Sequence, residues 1–131
     1  MRKFEIISRE QFDIELKPNE IIKIPTGIKV IMNEDEFLGL YVRSSLGFKY
    51  NMRMCNQVGI IDYDYYNNID NEGHMLVRLQ NQGDKVVNLK KNEKYVQGIF
   101  QKFYTVDDEE IINDKRVGGF GSTNKGEDNN G

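Results

Sequence analysis

The amino-acid sequence predicts an all-β fold, and three observations carry this prediction. Short runs rich in β-branched and aromatic residues recur along the chain, turn-forming residues separate them, and no long stretch shows the apolar periodicity of an amphipathic helix. Short strands at such close intervals are typical of a β-sandwich or a β-barrel. The chain has 131 residues, which is the size of one compact domain.

The predicted strands follow one another along the first hundred residues. Clear β-rich runs occur at 21–24, 27–31, 38–42 and 75–79. Turn-forming residues lie around them, at 17–20, 25–27, 33–36, 67–73, 82–84 and 91–93. The segment 94–103 is expected to begin as a turn and continue as a strand, and the acidic segment 107–114 to form a brief helical turn.

The C-terminal end has a different composition. From about residue 115 onward the sequence consists largely of Gly, Ser, Asn and charged residues, with Phe120 as its only aromatic. Such a segment buries too little apolar surface to offset the entropy lost on ordering. We therefore expect a β domain of residues 1–114 and a mobile, Gly-rich C-terminal arm of residues 115–131. Because a plain linker has no need of Phe120, and Lys115 and Arg116 add charge suited to phosphates, the arm is expected to close over a ligand.

Composition and charge argue against several classes of partner. With 18 Lys and Arg against 21 Asp and Glu, no strong positive field recruits nucleic acid or an anionic membrane. No apolar run reaches the roughly 18 residues that span a bilayer, and the polar start of the chain lacks the apolar stretch of a signal peptide. Cys55 is the only cysteine, so no intramolecular disulfide can form, and a small buried thiol is expected there. These features predict a cytoplasmic protein.

A first candidate site is the segment Arg43-Ser44-Ser45-Leu46-Gly47. Arg43 offers a planar fork of donors, the two serines offer hydroxyl groups, and a turn at this point adds backbone N–H groups, all of which suit phosphate oxygens. An ordinary transition from a strand to a turn fits the same residues, and the spacing alone does not decide between the two interpretations.

A second candidate site follows the apolar run Gly59-Ile60-Ile61, after which Asp62 leads into a tyrosine-rich turn. A strand that ends in Asp62 delivers a carboxylate rigidly, as a base that orients a water must be delivered. Asp64 lies two residues further on, and the two acidic residues fit either one face of a strand or a solvated turn.

The aromatic and histidine residues near this point allow less specific interpretations. Tyr65 can pack its ring on a sugar, whereas a cross-strand aromatic cluster is favoured for two of the three residues Tyr63, Tyr65 and Tyr66. His74 is the only histidine and has no Cys or His at metal-ligand spacing, so no zinc site is expected.

Taken in this order, the segments resemble the motifs of the trimeric dUTPase family, whose members hydrolyse dUTP to dUMP and pyrophosphate with Mg²⁺. The resemblance extends over about residues 18–123. Residues 43–47 resemble the second motif, residues 56–65 the third and most specific motif, residues 94–97 the fourth, and residues 118–123 the fifth. The resemblance implies a dUTPase-like jelly-roll or β-barrel and a homotrimer in which three chains share each active site.

The resemblance also implies a role for each matched residue. Asp62 would orient the attacking water, Tyr65 would pack on the deoxyribose and exclude a 2′-hydroxyl, and Asn56 with the backbone near Gly59 would read uracil. Mg²⁺ would be held mainly through the substrate phosphates. The remaining residues implied to bind the substrate are Arg43, Ser44, Ser45, Gln97, Lys115, Arg116, Phe120, Gly121, Ser122 and Thr123.

The sequence departs from the family pattern in three places. The first motif, a Ser/Ala-Gly-Tyr-Asp-Leu-like segment, is not recognisable, although Phe12-Asp13-Ile14 faintly echoes it. Lys94 stands where an Arg is usual, and its ammonium group cannot form the bidentate hydrogen bonds of a guanidinium group. Arg116 lies one place closer to Phe120 than is usual, and Lys115 occupies the usual position.

These departures leave two alternatives to a dUTP diphosphatase. The acidic residue of the first motif helps to hold metal-bound waters, so its loss fits a catalytically degenerate, dUTP-binding or regulatory member of the family. A dCTP deaminase shares the fold and a segment like residues 43–47. It is less favoured because residues 75–78, Met-Leu-Val-Arg, lack the Glu that a deaminase places there.

Overall fold

The computed structural model describes residues 1–106, which contain ten strands, one short α-helix and one 3-10 helix. The strands are β1 (Lys3–Ile6), β2 (Ile14–Leu16), β3 (Ile21–Pro25), β4 (Ile28–Ile31), β5 (Glu36–Val42), β6 (Met52–Met54), β7 (Gly59–Asp62), β8 (Leu76–Asn81), β9 (Val87–Leu89) and β10 (Val96–Lys102). The helix α1 spans Ser44–Tyr50, and the 3-10 helix spans Tyr63–Tyr65. Neither of these helices is long and apolar enough to cross a membrane.

The strands pair antiparallel and form four small sheets. The sheet orders are β1-β4, β10-β5-β7, β2-β9 and β3-β8-β6. Several partners are far apart in sequence, as in β5 with β10 and β3 with β8, which is typical of jelly-roll and Greek-key barrels rather than of simple hairpin meanders. The all-β prediction is therefore confirmed.

Each sheet buries one face because apolar residues alternate with polar ones. In β8, Val77 and Leu79 are buried, whereas Leu76 and Arg78 between them are exposed. The inward residues of the sheets meet in one core. Its buried apolar members are Leu16, Ile24, Val30, Met32, Leu38, Leu40, Leu46, Met52, Met54, Met75, Val77, Leu79, Val87 and Leu89.

A buried amide joins three parts of the fold. Asn81 ends β8 with its side chain inside the core, and its Nδ2 donates to the carbonyl oxygens of Leu16 at 2.9 Å and Lys85 at 2.7 Å. Its Oδ1 accepts from the Gly83 N–H at 2.9 Å. Since each of its polar atoms has a partner, Asn81 avoids the cost of burying an unpaired polar group and fixes β2 against the turn after β8.

The predicted strands match observed ones. The runs 21–24, 27–31, 38–42 and 75–79 fall on β3, β4, β5 and β8, and the segment 94–103 begins outside a strand and continues as β10. The faint echo of the first motif lies at the end of the connection between β1 and β2, and its last residue, Ile14, starts β2. There the Oδ1 of Asp13 accepts the Lys91 N–H at 2.9 Å, so this carboxylate fixes the turn that precedes β10.

Some predictions fall on residues outside the described part of the chain. These are the helical turn at 107–114, the domain boundary after residue 114 and the arm of residues 115–131. Among the implied substrate-binding residues, Lys115, Arg116, Phe120, Gly121, Ser122 and Thr123 lie there.

Candidate active site

One half of the candidate site lies where β5 ends. Arg43 follows the last residue of β5 and precedes α1, and its backbone N–H donates to the Tyr95 carbonyl at 2.8 Å. Its side-chain Nη1 donates to the Lys94 carbonyl at 3.4 Å. These two hydrogen bonds attach the segment that resembles the second motif to the start of the segment that resembles the fourth. We call this cluster, made of Arg43, Ser44, Ser45 and Gln97, the phosphate half-site.

The segment 43–47 forms a strand-to-helix transition, so the predicted turn is wrong in detail. The carbonyl of Arg43 accepts the N–H groups of Leu46 and Gly47, each at 3.0 Å, and Leu46 is buried in the core. The buried Leu46 anchors the first turn of α1, and Ser44 and Ser45 remain exposed. Sequence reasoning missed the helix because seven residues are too few to show an amphipathic period.

Gln97 lies beside this segment because β10 pairs with β5. Gln97 is opposite Tyr41, only two residues before Arg43, and its side chain is exposed. Tyr95, just before β10, is half-buried, and burial raises the pKa of its phenol. The phosphate half-site is thus assembled within one chain.

The other half of the candidate site lies in β7 and in the turn that connects it to β6. Asn56 is exposed in the turn, where its carbonyl accepts the Val58 N–H at 2.7 Å, and the Gln57 N–H donates to Met54 at 2.9 Å. Gly59 starts β7 and is buried. A Cβ on Gly59 would lie 3.2 Å from the Leu40 Cβ, so packing of β7 on β5 accounts for a glycine here.

A cleft of about 350 Å³ adjoins the turn between β6 and β7. It is lined by Lys23, Cys55, Asn56, Leu76 and Arg78, which places the predicted uracil-reading Asn56 at its edge. Cys55 is exposed here, so the prediction of a buried thiol is wrong. The reason is that side chains alternate between the two faces of a strand. Met52 and Met54 of β6 point into the core, and Cys55 follows them on the outward side.

Asp62 ends β7 and is exposed, with Phe37 of β5 as its partner. The strand therefore presents this carboxylate at a fixed point on the surface, as predicted. Asp64 does not share a strand face with it, because the chain turns into the 3-10 helix after Asp62. We call the group of Asn56, Gly59, Asp62 and Tyr65 the nucleoside half-site.

The three tyrosines do not form the predicted cross-strand cluster. Tyr65 donates from its hydroxyl to the His74 carbonyl at 3.0 Å, and Tyr66 donates to Glu5 Oε1 at 2.6 Å. Tyr63 is 41% exposed. Since all three belong to or adjoin a 3-10 helix rather than a strand, their rings point in different directions.

Asp62 and Arg43 lie at opposite ends of β5. Asp62 pairs with Phe37 near the start of β5, whereas Arg43 follows its last residue. Six residues separate Phe37 from Arg43 in the sequence. At a strand rise of about 3.3 Å per residue, they are about 20 Å apart. One chain therefore cannot bring Asp62 and Arg43 to the same phosphate group.

Gln97 and Asp62 both lie on the outward face of the sheet β10-β5-β7. Directly opposed residues of antiparallel strands share a face, so Gln97 lies on the same face as Tyr41, and Asp62 on the same face as Phe37. Between them lie Ile60, 61% exposed, and Ile99, 48% exposed, both opposite Gly39. We call this surface the β5 outer face.

An unpredicted contact shapes the middle of the β5 outer face. The Tyr41 hydroxyl donates to Gln101 Oε1 at 2.5 Å, above Gly39. A Cβ on Gly39 would lie 2.7 Å from that Gln101 oxygen and 2.8 Å from Tyr41 Cε1. A glycine in the interior of a strand is the sequence signal for such a close approach. Among residues 1–106, no three His, Cys, Asp or Glu side chains group together as metal ligands.

The described fold places the chain in the class of jelly-roll-like all-β proteins. Residues 4–124 match the family model described as dUTPase. The chain is 47% identical over 111 residues to the deoxyuridine 5'-triphosphate nucleotidohydrolase of Lactococcus lactis subsp. lactis, covering 84% of this chain and 74% of that protein. The chain belongs to the dUTPase family, which confirms the resemblance found in the sequence.

Solved structures agree with this assignment. The dUTPase from Streptococcus mutans superposes with a TM-score of 0.64 at 41% identity, covering 72% of this chain and 74% of that one. A mutant dUTPase from phage phi11 of S. aureus, described as coordinating a structural Mg(II) ion, superposes with a TM-score of 0.66. That phage enzyme is only 13% identical, so this likeness concerns the fold alone.

Proposed function

We propose that the protein hydrolyses dUTP to dUMP and pyrophosphate, as a homotrimer in which neighbouring chains complete each active site. The observation that carries this proposal is the separation of Asp62 from Arg43 by about the length of β5. Asp62 and Arg43 act on one substrate only if they come from different chains. Family membership and the name of the relative from Lactococcus lactis support dUTP as the substrate.

The β5 outer face is the proposed contact between chains. It exposes Ile60 and Ile99, apolar residues that favour association, and it has Asp62 near one end and Gln97 near the other. Packing this face against a neighbour brings Asp62 of one chain towards Arg43 and Gln97 of another. A closed ring of such contacts buries the face in every chain.

In the proposed reaction, each half-site has a separate task. The carboxylate of Asp62 accepts a hydrogen bond from a water and orients it towards a phosphorus of the triphosphate. Arg43, Ser44 and Ser45 donate to phosphate oxygens and stabilise the charge that develops on them. Since Asp62 is held by the β7–β5 pairing, it needs little reorganisation to reach this geometry.

The nucleoside half-site is proposed to select the substrate. Asn56 and the backbone of its turn pair with the edge of uracil, and a mismatched base leaves buried polar groups without partners. Tyr65 packs on the deoxyribose and excludes a 2′-hydroxyl. The arm residues Phe120, Gly121, Ser122 and Thr123, with Lys115 and Arg116, are proposed to cover the base and hold the phosphates.

Mg²⁺ is proposed as the cofactor, held mainly through the substrate phosphates. The described residues supply no cluster of three protein ligands, and Mg²⁺ characteristically binds through phosphates, waters and one or two carboxylates. When bound, Mg²⁺ neutralises charge on the triphosphate.

A second candidate function is dUTP binding without turnover. It is favoured by the missing first motif and by the engagement of Asp13, whose carboxylate accepts the Lys91 N–H. Deamination is not supported, because β8 and the residue before it contain no Glu.

The deciding experiment is a substrate panel. Pyrophosphate release from dUTP, dCTP, dTTP and UTP is measured with Mg²⁺, together with ammonia release and direct nucleotide binding. Release from dUTP alone, without ammonia, is the expected result. Binding of dUTP without release would establish the second candidate function, and ammonia from dCTP would establish a deaminase.

A further inference from the structure

The hydroxyl group of Tyr65 is held by two hydrogen bonds. It donates to the His74 carbonyl oxygen at 3.0 Å and accepts from Asn71 Nδ2 at 2.8 Å. The ring itself is half-buried and packs against the core. A phenol with both its donor and its acceptor engaged cannot shift along the surface without losing one of these bonds.

Asn71 is itself held in place. Its Oδ1 accepts from Asn68 Nδ2 at 2.8 Å and from the Gly73 N–H at 3.1 Å. Gly73 has φ +90°, and a Cβ there would lie 3.0 Å from backbone atoms of Tyr65 and Asn67. The loop of residues 66–75 can therefore close tightly behind Tyr65 only with glycine at this position.

His74 connects this loop to the turn between β3 and β4. Its ring Nε2 accepts the Gly27 N–H at 2.9 Å, which assigns the ring proton of the neutral imidazole to Nδ1. The carbonyl oxygen of Gly27 in turn accepts the N–H groups of Ile7 at 2.7 Å and Ser8 at 3.1 Å. His74 thus accepts the hydrogen bond of Tyr65 with its carbonyl oxygen, while its ring is held by the backbone of Gly27.

A separate set of contacts supports the same loop without touching Tyr65. Lys29 Nζ donates to Asn67 Oδ1 at 2.7 Å and forms an ion pair with Glu72 at 3.1 Å. These contacts allow the effect of a looser loop to be separated from the effect of the two bonds to Tyr65.

We infer that Asn71 and His74 are positioning residues that hold the Tyr65 ring rigid and thereby set the preference for 2′-deoxyribose over ribose. The inference rests on the proposed function, in which Tyr65 packs on the sugar. To reject a sugar with one added hydroxyl, the Tyr65 ring must keep its position, because a shift of the ring would make room for the 2′ oxygen. The Asn71 and His74 bonds fix the hydroxyl end of the ring and prevent that shift.

The test compares the binding of dUMP and UMP by titration calorimetry and the kcat/KM values for dUTP and UTP. In Asn71→Ala, the preference for the deoxynucleotide is expected to fall about tenfold, through tighter UMP binding and a lower KM for UTP. His74→Ala is expected to lose part of the preference, and His74→Gln to keep it, because glutamine supplies another acceptor for the Gly27 N–H. Glu72→Gln, the matched control in the same loop, is expected to leave the preference unchanged.

A double-mutant cycle distinguishes positioning from general support of the fold. Tyr65→Phe removes the hydroxyl and keeps the ring, so it is expected to lower the preference as Asn71→Ala does. If Asn71 acts through the hydroxyl, the double variant loses no more than either single variant. Tyr65→Phe also provides the test if Asn71→Ala does not fold.

The outcomes separate this inference from the proposed function. An unchanged deoxyribose preference in Asn71→Ala or Tyr65→Phe, with dUTP still hydrolysed by the wild type, overturns the inference alone. Preferential binding of dUMP without hydrolysis overturns the proposed activity, and the binding ratios still test the inference. Additive losses of the deoxyribose preference in the double variant also overturn the inference.

Discussion

Arg2 and Glu36 form an ion pair that joins the first residues of the chain to the start of β5. Nε and Nη2 of Arg2 both donate to Glu36 Oε2, at 2.8 and 2.5 Å. The Glu36 side chain is only 1% exposed, and its second oxygen accepts the Asn33 N–H at 3.2 Å. The hydrogen bonds from Arg2 hold the pKa of Glu36 below its usual value, although burial acts in the opposite direction.

This pair predicts a particular dependence of stability on pH. Because the pKa of Glu36 is lower in the folded state, its contribution to the free energy of unfolding is present above the ordinary carboxyl pKa of about 4.3. That contribution is lost as the pH falls through the lower, folded value. Arg2→Met removes the largest of the effects that lower the pKa of Glu36, so this pKa rises relative to the wild type. The variant should therefore be less stable than the wild type at pH 7, with a difference that shrinks towards pH 4.

Thermal unfolding midpoints measured from pH 7 to pH 3 check this prediction. Lys102→Met is the matched control, because Lys102 forms an exposed pair with Asp35 at 3.7 Å near the same end of β5. An exposed pair contributes little, so this control should follow the wild-type curve. Parallel curves for Arg2→Met and the wild type would show that Arg2 does not set the ionisation of Glu36.

The contact of Tyr41 with Gln101 predicts that Gly39→Ala weakens assembly. The new methyl group would lie within 3 Å of both side chains and force them off the β5 outer face. Overpacking of this kind costs about 1–3 kcal/mol, and here the displaced groups lie on the proposed contact between chains. Light scattering over a dilution series should show dissociation at higher protein concentration than for the wild type.

Gly98→Ala provides the control for this prediction. Its Cβ would point to the inner face of the same sheet, 3.1 Å from Leu38 Cδ1, so it should lower the unfolding midpoint without a specific effect on assembly. If the two variants dissociate alike, the β5 outer face is not the contact between chains.

Asp62→Asn should stop hydrolysis and spare binding. The exposed carboxylate at the end of β7 is proposed to orient water, and an amide of the same shape lacks the charge for that task. Loss of a general base typically lowers kcat about 10²–10⁴-fold, whereas the dissociation constant for dUTP should change little. Asp64→Asn, in the 3-10 helix, should retain turnover. Equal losses of binding and turnover in Asp62→Asn would contradict the proposed role.

The fold and the motifs could be predicted from the sequence for a physical reason. Alternation along β3, β5 and β8 records which face of each strand is buried, and the Val58–Tyr65 pattern combines an apolar strand with an exposed carboxylate at its end. The helix α1 was not predicted, because its seven residues are too few to show the apolar period of a helix. The exposure of Cys55 was not predicted either, because a shift of one residue along a strand moves a side chain from the buried face to the exposed one.

The sequence also did not allow three contacts to be predicted, namely the Arg2–Glu36 pair, the Tyr41–Gln101 contact and the hydrogen bonds to Tyr65. Each joins residues that are distant in sequence or depends on a loop conformation, as with the positive φ of Asn67, Glu72 and Gly73. Local propensity carries no information on such pairings, and single-sequence patterns cannot locate them. The roles of the individual site residues remain predictions.

The distance between Asp62 and Arg43 predicts that two inactive variants restore each other's activity. Asp62→Asn chains keep Arg43, and Arg43→Gln chains keep Asp62. If each site takes these residues from different chains, random mixing of equal amounts into trimers gives about one quarter of the sites both intact groups, and hence about a quarter of wild-type activity. The mixture is prepared by joint refolding, and pyrophosphate release is measured. A mixture of Asp62→Asn with Asn56→Ala is the control. Asn56 lies in the turn before β7 and Asp62 ends β7, and both belong to the nucleoside half-site. No chain in that mixture supplies an intact nucleoside half-site, so activity should not rise. Recovery in neither mixture would mean that Asp62 and Arg43 do not meet across a chain boundary, and the shared-site proposal would fail.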